Sequence, residues 1–322
     1  MKPSVRLALC SLLLAALLPG AFAGPLLDAI RERREHRRQQ AAEAREGPSG
    51  SEELEGAGTE GKAKIALPAG ARALTDLSYG SDAAQKLDVY IPAKAKDAPI
   101  LFMVHGGAWM VGDKAASKVV LNKVGHWLPK GYIVASPNYR MSRSPKVMDQ
   151  VDDVARALAF VQGKAAEWGG DGSRVLVMGH SAGAHLVSMI ASDRGLAAAH
   201  GARPWLGTVS LDSAAFDIVD IMKTKHYRFY DRVFGSDRGF WEQASPFHRL
   251  SAAPAPMLLV CSTKRSDSCP QAKAYAAKAT GFGGKVSVLP VDMTHGDVNG
   301  KLGEPGEYTA QVEAFMRGLG LP

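Results

Sequence analysis

From about residue 67 onward, short apolar runs alternate with amphipathic stretches. Continuous apolar runs, which are typical of strands buried on both faces of a parallel sheet, occupy residues 100–104, 132–135 and 174–178. Residues 87–91 instead alternate between polar and apolar and end at Pro92, as an edge strand would. Further strands are predicted at residues 207–211, 257–261 and 286–291.

Apolar residues at helical spacing are clearest between residues 149 and 168, where one face carries Val151, Val154, Ala155, Leu158 and Val161. Helices are also predicted at residues 182–191 and 307–319. Strands that alternate with helices predict an α/β fold, in which a mostly parallel sheet is flanked by helices on both faces.

The first residues have a different pattern. Lys2 and Arg6 precede an apolar run at residues 7–18, and Ala21-Phe22-Ala23 follows it. This order predicts a signal peptide over residues 1–23 and a periplasmic or secreted protein. The apolar run is too short to span a bilayer core of about 30 Å, and no other segment is long and apolar enough, so the mature chain is predicted to have no transmembrane segment.

Residues 24–66 are predicted to be a flexible charged tether, since they are rich in Arg, Glu, Ala and Gly and become Gly- and Ser-rich after residue 46. Apolar residues stop after Ile30, so there is no seam for a coiled coil. The folded domain is expected over residues 67–322.

Composition narrows the function class only slightly. The chain of 322 residues is 46% hydrophobic and 22% charged, as an ordinary globular protein is. Its net charge of +7 is diffuse, so no nucleic-acid partner is expected. Cys261 and Cys269 have no metal-ligand spacing with His. In an oxidising compartment they could form a disulfide, or equally remain a buried cysteine and a loop thiol.

The first chemical motif is Gly179-His180-Ser181-Ala182-Gly183, which lies between a predicted strand and a predicted helix. A sharp strand-to-helix turn needs small residues around its centre and exposes the central side chain. A chance serine in a glycine-rich turn is the alternative, but the flanking elements favour a nucleophile at Ser181.

The second motif is His105-Gly106-Gly107-Ala108-Trp109, directly after the strand at residues 100–104. Acyl transfer produces an oxyanion, and backbone N–H groups stabilise it best where no side chain blocks the approach. We therefore predict an oxyanion-binding loop here, with His105 in a structural role.

The third feature is a downstream acid and base. His295 follows the strand at residues 286–291, and Asp267 lies in the loop after the strand at residues 257–261. The carboxyl ends of parallel strands share one sheet edge, so both are expected near Ser181. His295 is predicted as general base and Asp267 as its acid partner. Asp212, after an earlier strand, is the more serious rival.

These motifs, with residues 138–142 and 152–158, resemble the bacterial esterase/lipase branch of the α/β-hydrolases over residues 75–320. They are similar in particular to BD-FAE-type feruloyl and acetylxylan esterases and to kynurenine formamidases. The resemblance implies an α/β-hydrolase fold and a small-molecule ester substrate. The expected acyl transfer needs neither cofactor nor metal, and the sequence has no ligand cluster or nucleotide motif that indicates one.

The resemblance also implies residue roles. The nucleophile, acid and base fall on Ser181, Asp267 and His295. The oxyanion hole falls on Gly107, Ala108 and Ala182, with Gly106 shaping the turn. Ala108 departs from a third glycine found in many relatives. Residues 216–250 fall where such enzymes insert a lid, and the substrate cleft is expected to be lined by Trp109, Phe216, Tyr227 and Tyr230.

The motifs therefore predict a serine esterase with a two-step acyl transfer, acting on small or aryl esters. An arylformamidase or amide hydrolase with the same triad is the alternative within enzymes. A catalytically silent, exported binding module is the alternative from another class, and the intact nucleophile, base and oxyanion loop argue against it.

Overall fold

An eight-stranded sheet organises the part of the chain that the structure, a computed structural model, describes: residues 61–141 and 146–322. The strands are β1 (Arg72–Ser78), β2 (Lys86–Ile91), β3 (Ala98–Val104), β4 (Ile133–Pro137), β5 (Gly170–His180), β6 (Gly207–Leu211), β7 (Met257–Ser262) and β8 (Val286–Val291). Their spatial order is β1-β2-β4-β3-β5-β6-β7-β8. Only β2 runs against its two neighbours, and all other pairs of neighbouring strands are parallel.

Helices connect the parallel strands. They are α1 (Ser117–Trp127), α2 (Val147–Lys164), α3 (Ala182–Ser192), α4 (Arg194–Ala198), α5 (Ile218–Lys223), α6 (Arg228–Phe234), α7 (Arg238–Gln243), α8 (Pro246–Arg249), α9 (Ser268–Gly281), α10 (His295–Gly300) and α11 (Glu307–Gly318). A short 3-10 helix at Ala165–Trp168 continues α2.

The sheet is buried on both faces, which explains the continuous apolar runs. In β3, Phe102 packs into the core cluster that includes α2 and α3, while the next residue, Met103, packs into the cluster that includes α1 and α11. Because successive side chains of a strand point to opposite faces, both sets must be apolar. The predicted α/β fold with a mostly parallel, helix-flanked sheet is confirmed.

One prediction about the sheet is wrong. Residues 87–91 do form a strand, but β2 is not an edge strand, since β1 covers it. The sequence pattern missed β1 because this outermost strand is mostly exposed and has no buried face to give an apolar period. The predicted helices coincide only with α2, α3 and α11, so the pattern does not predict α1 or α4 to α10.

The N-terminal predictions fall mostly outside the described residues. The predicted signal peptide 1–23 and tether residues 24–60 lie there, as does Ser142 of the resemblance. At the end of the predicted tether, Ala63 N donates to Ala115 O at 2.8 Å, so contacts with the folded domain begin before residue 67. None of the helices in the described ranges has the length and apolar content needed to cross a membrane.

Candidate active site

Ser181 lies at the sharp turn between β5 and α3, as the motif predicts. Its backbone has φ 53° and ψ −120°, a conformation that L-residues rarely adopt. The Ser181 N–H donates to Leu211 O at 2.9 Å, which ties the turn to the end of the neighbouring strand β6. This strained strand-to-helix geometry is the one that presents a nucleophilic serine at the top of such a sheet.

The two glycines of the motif allow the turn to pack tightly. A Cβ on Gly179 would lie 2.4 Å from Gly183 O, and a Cβ on Gly183 would lie 2.3 Å from His105 O. Neither position has room for a side chain. The start of α3 therefore lies directly against the end of β3, where the predicted oxyanion loop begins.

His295 is the first residue of α10 and is hydrogen-bonded to Asp212. The distance between His295 Nδ1 and Asp212 Oδ2 is 2.6 Å, and both side chains are buried. Asp212 is the residue directly after β6, and its N–H donates to Val260 O of β7 at 2.8 Å. The acid that contacts the base therefore follows β6 rather than β7.

The predicted acid, Asp267, does not contact His295 in this way, which corrects that prediction in favour of Asp212. Asp267 precedes α9, its side chain is 39% exposed, and it pairs with Arg265 at 3.2 Å. The segment after β7 places Asp267 in a partly exposed position, whereas Asp212, directly after β6, is buried. Order along the chain, Asp before His, fits both residues and could not separate them.

Several donors surround the Asp212 carboxylate. Ser262 N–H donates to its Oδ1 at 2.7 Å, and Ser268 Oγ donates to the same oxygen. Burial would raise the pKa of Asp212, but its hydrogen bond and charge interaction with His295, the positive charge of Arg265 and the Ser268 hydroxyl hold that pKa below the usual range. Asp212 is therefore a carboxylate in the folded protein at neutral pH.

His180 fixes the other side of His295. Its Nε2 lies 3.0 Å from the backbone oxygen of His295, and the two ring centroids are 4.5 Å apart. Burial, followed by the nearby His295, holds the pKa of His180 well below its usual value, so His180 is neutral and donates from Nε2. Because His180 precedes Ser181, this contact places the imidazole beside the turn.

The site also includes Nε2, the second ring nitrogen of His295. His295 Nε2 is buried and makes no hydrogen bond with any of the described residues. Since Nδ1 is bonded to a carboxylate, Nε2 is the ring nitrogen that can accept a proton. Hydrogen bonds between base and nucleophile often tighten only when substrate binds.

The predicted oxyanion loop lies against the nucleophile. A Cβ on Gly106 would be 2.9 Å from Ser181 Cβ, so the loop backbone runs beside Ser181. Gly107 has φ 122°, and Ala108 has φ 48°, so this segment turns sharply through left-handed conformations. Ala182 is the first residue of α3, where helix N–H groups lack partners within the helix.

Side chains that the motifs did not identify hold this loop in place. Tyr139 donates its hydroxyl to His105 O at 3.1 Å and stacks on the His105 ring at 4.4 Å. His105 has the structural role predicted for it, with Nδ1 bonded to Gly106 O at 2.7 Å. Gln150 of α2 donates to Trp109 O at 2.7 Å. The sequence gives no signal for Gln150 beyond its place in an amphipathic helix.

Residues 216–250 form four short helices, α5 to α8, of which α6 packs against Trp109 of the oxyanion loop. Trp109 is buried, and its ring packs on Phe234 at 5.2 Å and Tyr230 at 5.9 Å. Trp109 Nε1 donates to His185 Nδ1 at 3.1 Å, and His185 Nε2 donates to Ala244 O at 2.8 Å. Burial lowers the pKa of His185 to about 4, so this link is made by a neutral ring.

Two of the predicted cleft residues differ in their surroundings. Phe216 is buried in the core, where it packs on Tyr275 at 4.9 Å, so its packing does not support a place in the cleft wall. Tyr227 is only half-buried and stacks on Phe229 at 5.5 Å.

The loop after β7 is closed by a disulfide between Cys261 and Cys269, whose Cα atoms are 5.1 Å apart. Of the two alternatives left by the sequence, the structure has the bridge. The loop contains Arg265, whose Nη1 lies 2.8 Å from His295 Nδ1. Among the described residues, no group of His, Cys, Asp and Glu is arranged to hold a metal ion.

Comparison with known proteins gives three informative matches. The BD-FAE family model matches residues 87–273. A probable isoprenylcysteine alpha-carbonyl methylesterase of Oryza sativa subsp. japonica is 34% identical over 116 residues, which are 36% of this chain and 27% of the relative. The probable carboxylic ester hydrolase LipM of Mycobacterium tuberculosis is 38% identical over 120 residues, again 36% and 27%. The chain thus spans about a quarter of the length of these two curated relatives.

A solved structure supports the fold. A truncated carbohydrate esterase from gut microbiota superposes with a TM-score of 0.67 at 18% identity, over 81% of this chain and 100% of that chain. At this identity the match shows the α/β-hydrolase fold alone.

Proposed function

Because the chain belongs to the BD-FAE family, we propose that it is a serine hydrolase that cleaves carboxylic esters. The observation that carries the proposal is the 2.6 Å bond between His295 Nδ1 and Asp212, beside a serine in the strained turn conformation. In this arrangement, His295 Nε2, which has no hydrogen-bond partner among the described residues, is available to the serine hydroxyl.

The proposed reaction has two steps that use the same groups. Ser181 Oγ attacks the ester carbonyl carbon while His295 Nε2 takes the hydroxyl proton, and the imidazolium is stabilised by Asp212. The oxyanion accepts hydrogen bonds from backbone N–H groups of Gly107, Ala108 and Ala182. The intermediate collapses, the alcohol leaves with the proton from His295, and an acyl-enzyme remains.

Deacylation repeats the sequence with water. His295 takes a proton from water, whose oxygen attacks the acyl carbon. The second tetrahedral intermediate then releases the carboxylic acid, and Ser181 regains its proton from His295. We propose small or aryl esters as the substrate class. An arylformamide would pass through the same steps with an amine as leaving group.

Hydrolysis of p-nitrophenyl acetate, butyrate and octanoate by the wild type and by Ser181→Ala tests the proposal. We expect activity in the wild type and a loss of at least about 10³-fold in the variant. An N-formyl arylamine, assayed in parallel, separates the formamidase alternative. A folded wild type that cleaves neither class and does not react with a fluorophosphonate probe would favour a binding role instead.

We also propose that the protein is exported. Residues 1–23 have the order of a signal peptide, and the Cys261–Cys269 bridge is of the kind that persists in oxidising compartments. N-terminal sequencing of protein from the periplasm or medium of an exporting host should begin at Gly24. Full-length protein retained in the cytoplasm would contradict the proposal.

A further inference from the structure

Arg265 places a positive charge next to both Asp212 and His295, the proposed acid and base. Its Nη1 lies 2.8 Å from His295 Nδ1 and 3.3 Å from Asp212 Oδ2. The Arg265 side chain is only 9% exposed, so solvent screens this charge weakly. No motif in the sequence indicates this arginine, and the mechanism proposed above does not use it.

The two contacts of His295 Nδ1 need different proton positions. A proton on Nδ1 can be donated to Asp212, and Nε2 then remains free to act as base. A guanidinium has donors only, so a hydrogen bond from Arg265 needs a bare Nδ1, which leaves the proton on Nε2. Arg265 therefore competes with Asp212 for Nδ1, although it is also attracted to the same carboxylate.

The consequence is largest when His295 becomes charged. During acylation the imidazole becomes an imidazolium, and a cation in contact with it disfavours that state. Asp212 has the opposite effect.

We propose that Arg265 is a positioning residue that sets the lower pH limit of the hydrolase, by opposing the positive charge on His295 while keeping Asp212 ionised. The inference rests on the proposed function of the triad. It predicts that removal of the Arg265 charge raises the pH below which activity is lost.

The geometry of the loop supports a fixed place for this charge. The Cys261–Cys269 bridge joins the two ends of the segment that contains Arg265. Near the end of this segment, Ser268 Oγ donates a hydrogen bond to Asp212. Asp267 holds the guanidinium through contacts at 3.2 and 3.3 Å. Because Asp267 is partly exposed, it neutralises Arg265 less than a buried carboxylate would.

Other charged and titratable groups lie on the elements around His295. His180 comes from the end of β5, and Asp212 follows β6. From α1, Lys118 lies against Gly296, and Lys123 Nζ donates to Asn299 Oδ1 at 2.8 Å. Asp297 lies on α10 itself. None of these groups is substituted in an Arg265 variant, so a difference between variant and wild type reports on the Arg265 charge and on the two carboxylates that it contacts, Asp212 and Asp267.

The test compares pH profiles of kcat/KM for the wild type, Arg265→Gln and Arg265→Lys on the best p-nitrophenyl ester. Loss of the cation stabilises the imidazolium, so the acidic limb of the Arg265→Gln profile should move upward by about one pH unit. Arg265→Lys keeps the charge and should restore more than half of that shift. Asp267→Asn leaves Arg265 without its counter-charge, so its acidic limb should move to lower pH.

An NMR titration of the imidazole of His295, assigned with a His295→Gln spectrum, separates the two proposals. The His295 midpoint should shift as the kinetic limb does, and this readout needs no substrate. Wild type that cleaves no ester but shows these shifts would overturn the esterase proposal and leave the role of Arg265 standing. A purely structural arginine would lower kcat equally at every pH and leave the midpoints unchanged, which would overturn the inference.

Discussion

The two halves of the candidate active site are built in different ways. At the ends of β3 and β5, the nucleophile and the oxyanion loop depend on backbone conformation and on glycines with no room for a Cβ. At the ends of β6, β7 and β8, the acid and base depend on side chains brought together from residues 83 positions apart in sequence. A site that depends on backbone conformation requires particular residue types in one short segment, so it can be recognised as a sequence motif. Side chains that meet from different strands require no such segment, so their contact cannot be recognised in this way.

The half of the site formed by side chains is tested most directly by substituting the two candidate acids, Asp212 and Asp267. Asp212→Asn should lower kcat by about 10³- to 10⁴-fold, because an amide favours the wrong tautomer of His295 and cannot stabilise the imidazolium. Asp267→Asn is the matched control and should stay within a few-fold of wild type at its optimum pH. The measurement is kcat on the best p-nitrophenyl ester. Equal losses in the two variants would return Asp267 to the candidates for the acid.

The backbone half can be tested at Gly106. In Gly106→Ala the new Cβ would lie 2.9 Å from Ser181 Cβ, so the loop must move away from the nucleophile. We expect kcat to fall by about 10²-fold, as it does when one oxyanion donor is displaced. Gly163→Ala is the control, since that glycine lies in α2 with open space around its Cβ position. Circular dichroism confirms folding, and an active Gly106→Ala enzyme would argue against this loop as the oxyanion site.

The smallest expected effect on activity concerns the disulfide. Loss of the bridge in Cys261→Ala should lower the free energy of unfolding by about 2–3 kcal/mol, given the short loop that it closes. Activity should fall only several-fold, because Asp212 keeps its other hydrogen bonds. Cys269→Ala breaks the same bond and should match it in thermal unfolding. Two single variants that differ strongly would show that packing of the buried Cys261, and not the bridge, causes the loss.

Much of the fold could be predicted because its strands are buried on both faces. The predicted strand at residues 286–291 coincides with β8, and that at residues 207–211 with β6. The outermost strand β1 escaped prediction because its exposed residues have no apolar period. Helix α9 was missed since its start falls inside the predicted loop after β7, and its buried residues are mostly small.

The parts of the site that lie within one short segment of sequence could be predicted, and the parts that depend on contacts between distant residues could not. Ser181 and the loop at Gly106 follow from short segments whose residue types restrict the backbone. For the acid, Asp212 and Asp267 each follow a strand at the same sheet edge, and only the direction of each turn distinguishes them. The proposed role of Arg265 could not be predicted, because it depends on a 2.8 Å contact with His295, which lies 30 positions away in sequence.

The position of Asp212 at the end of β6 also means that the loop after β7 does not have to supply the acid. Since the carboxylate comes from another strand, residues 263–267 can be exchanged without removing the acid. The disulfide keeps both ends of the segment anchored during such exchanges. The loop is therefore a suitable segment for protein engineering. The sign and number of charges next to the base can be varied there to adapt the enzyme to acidic or alkaline media.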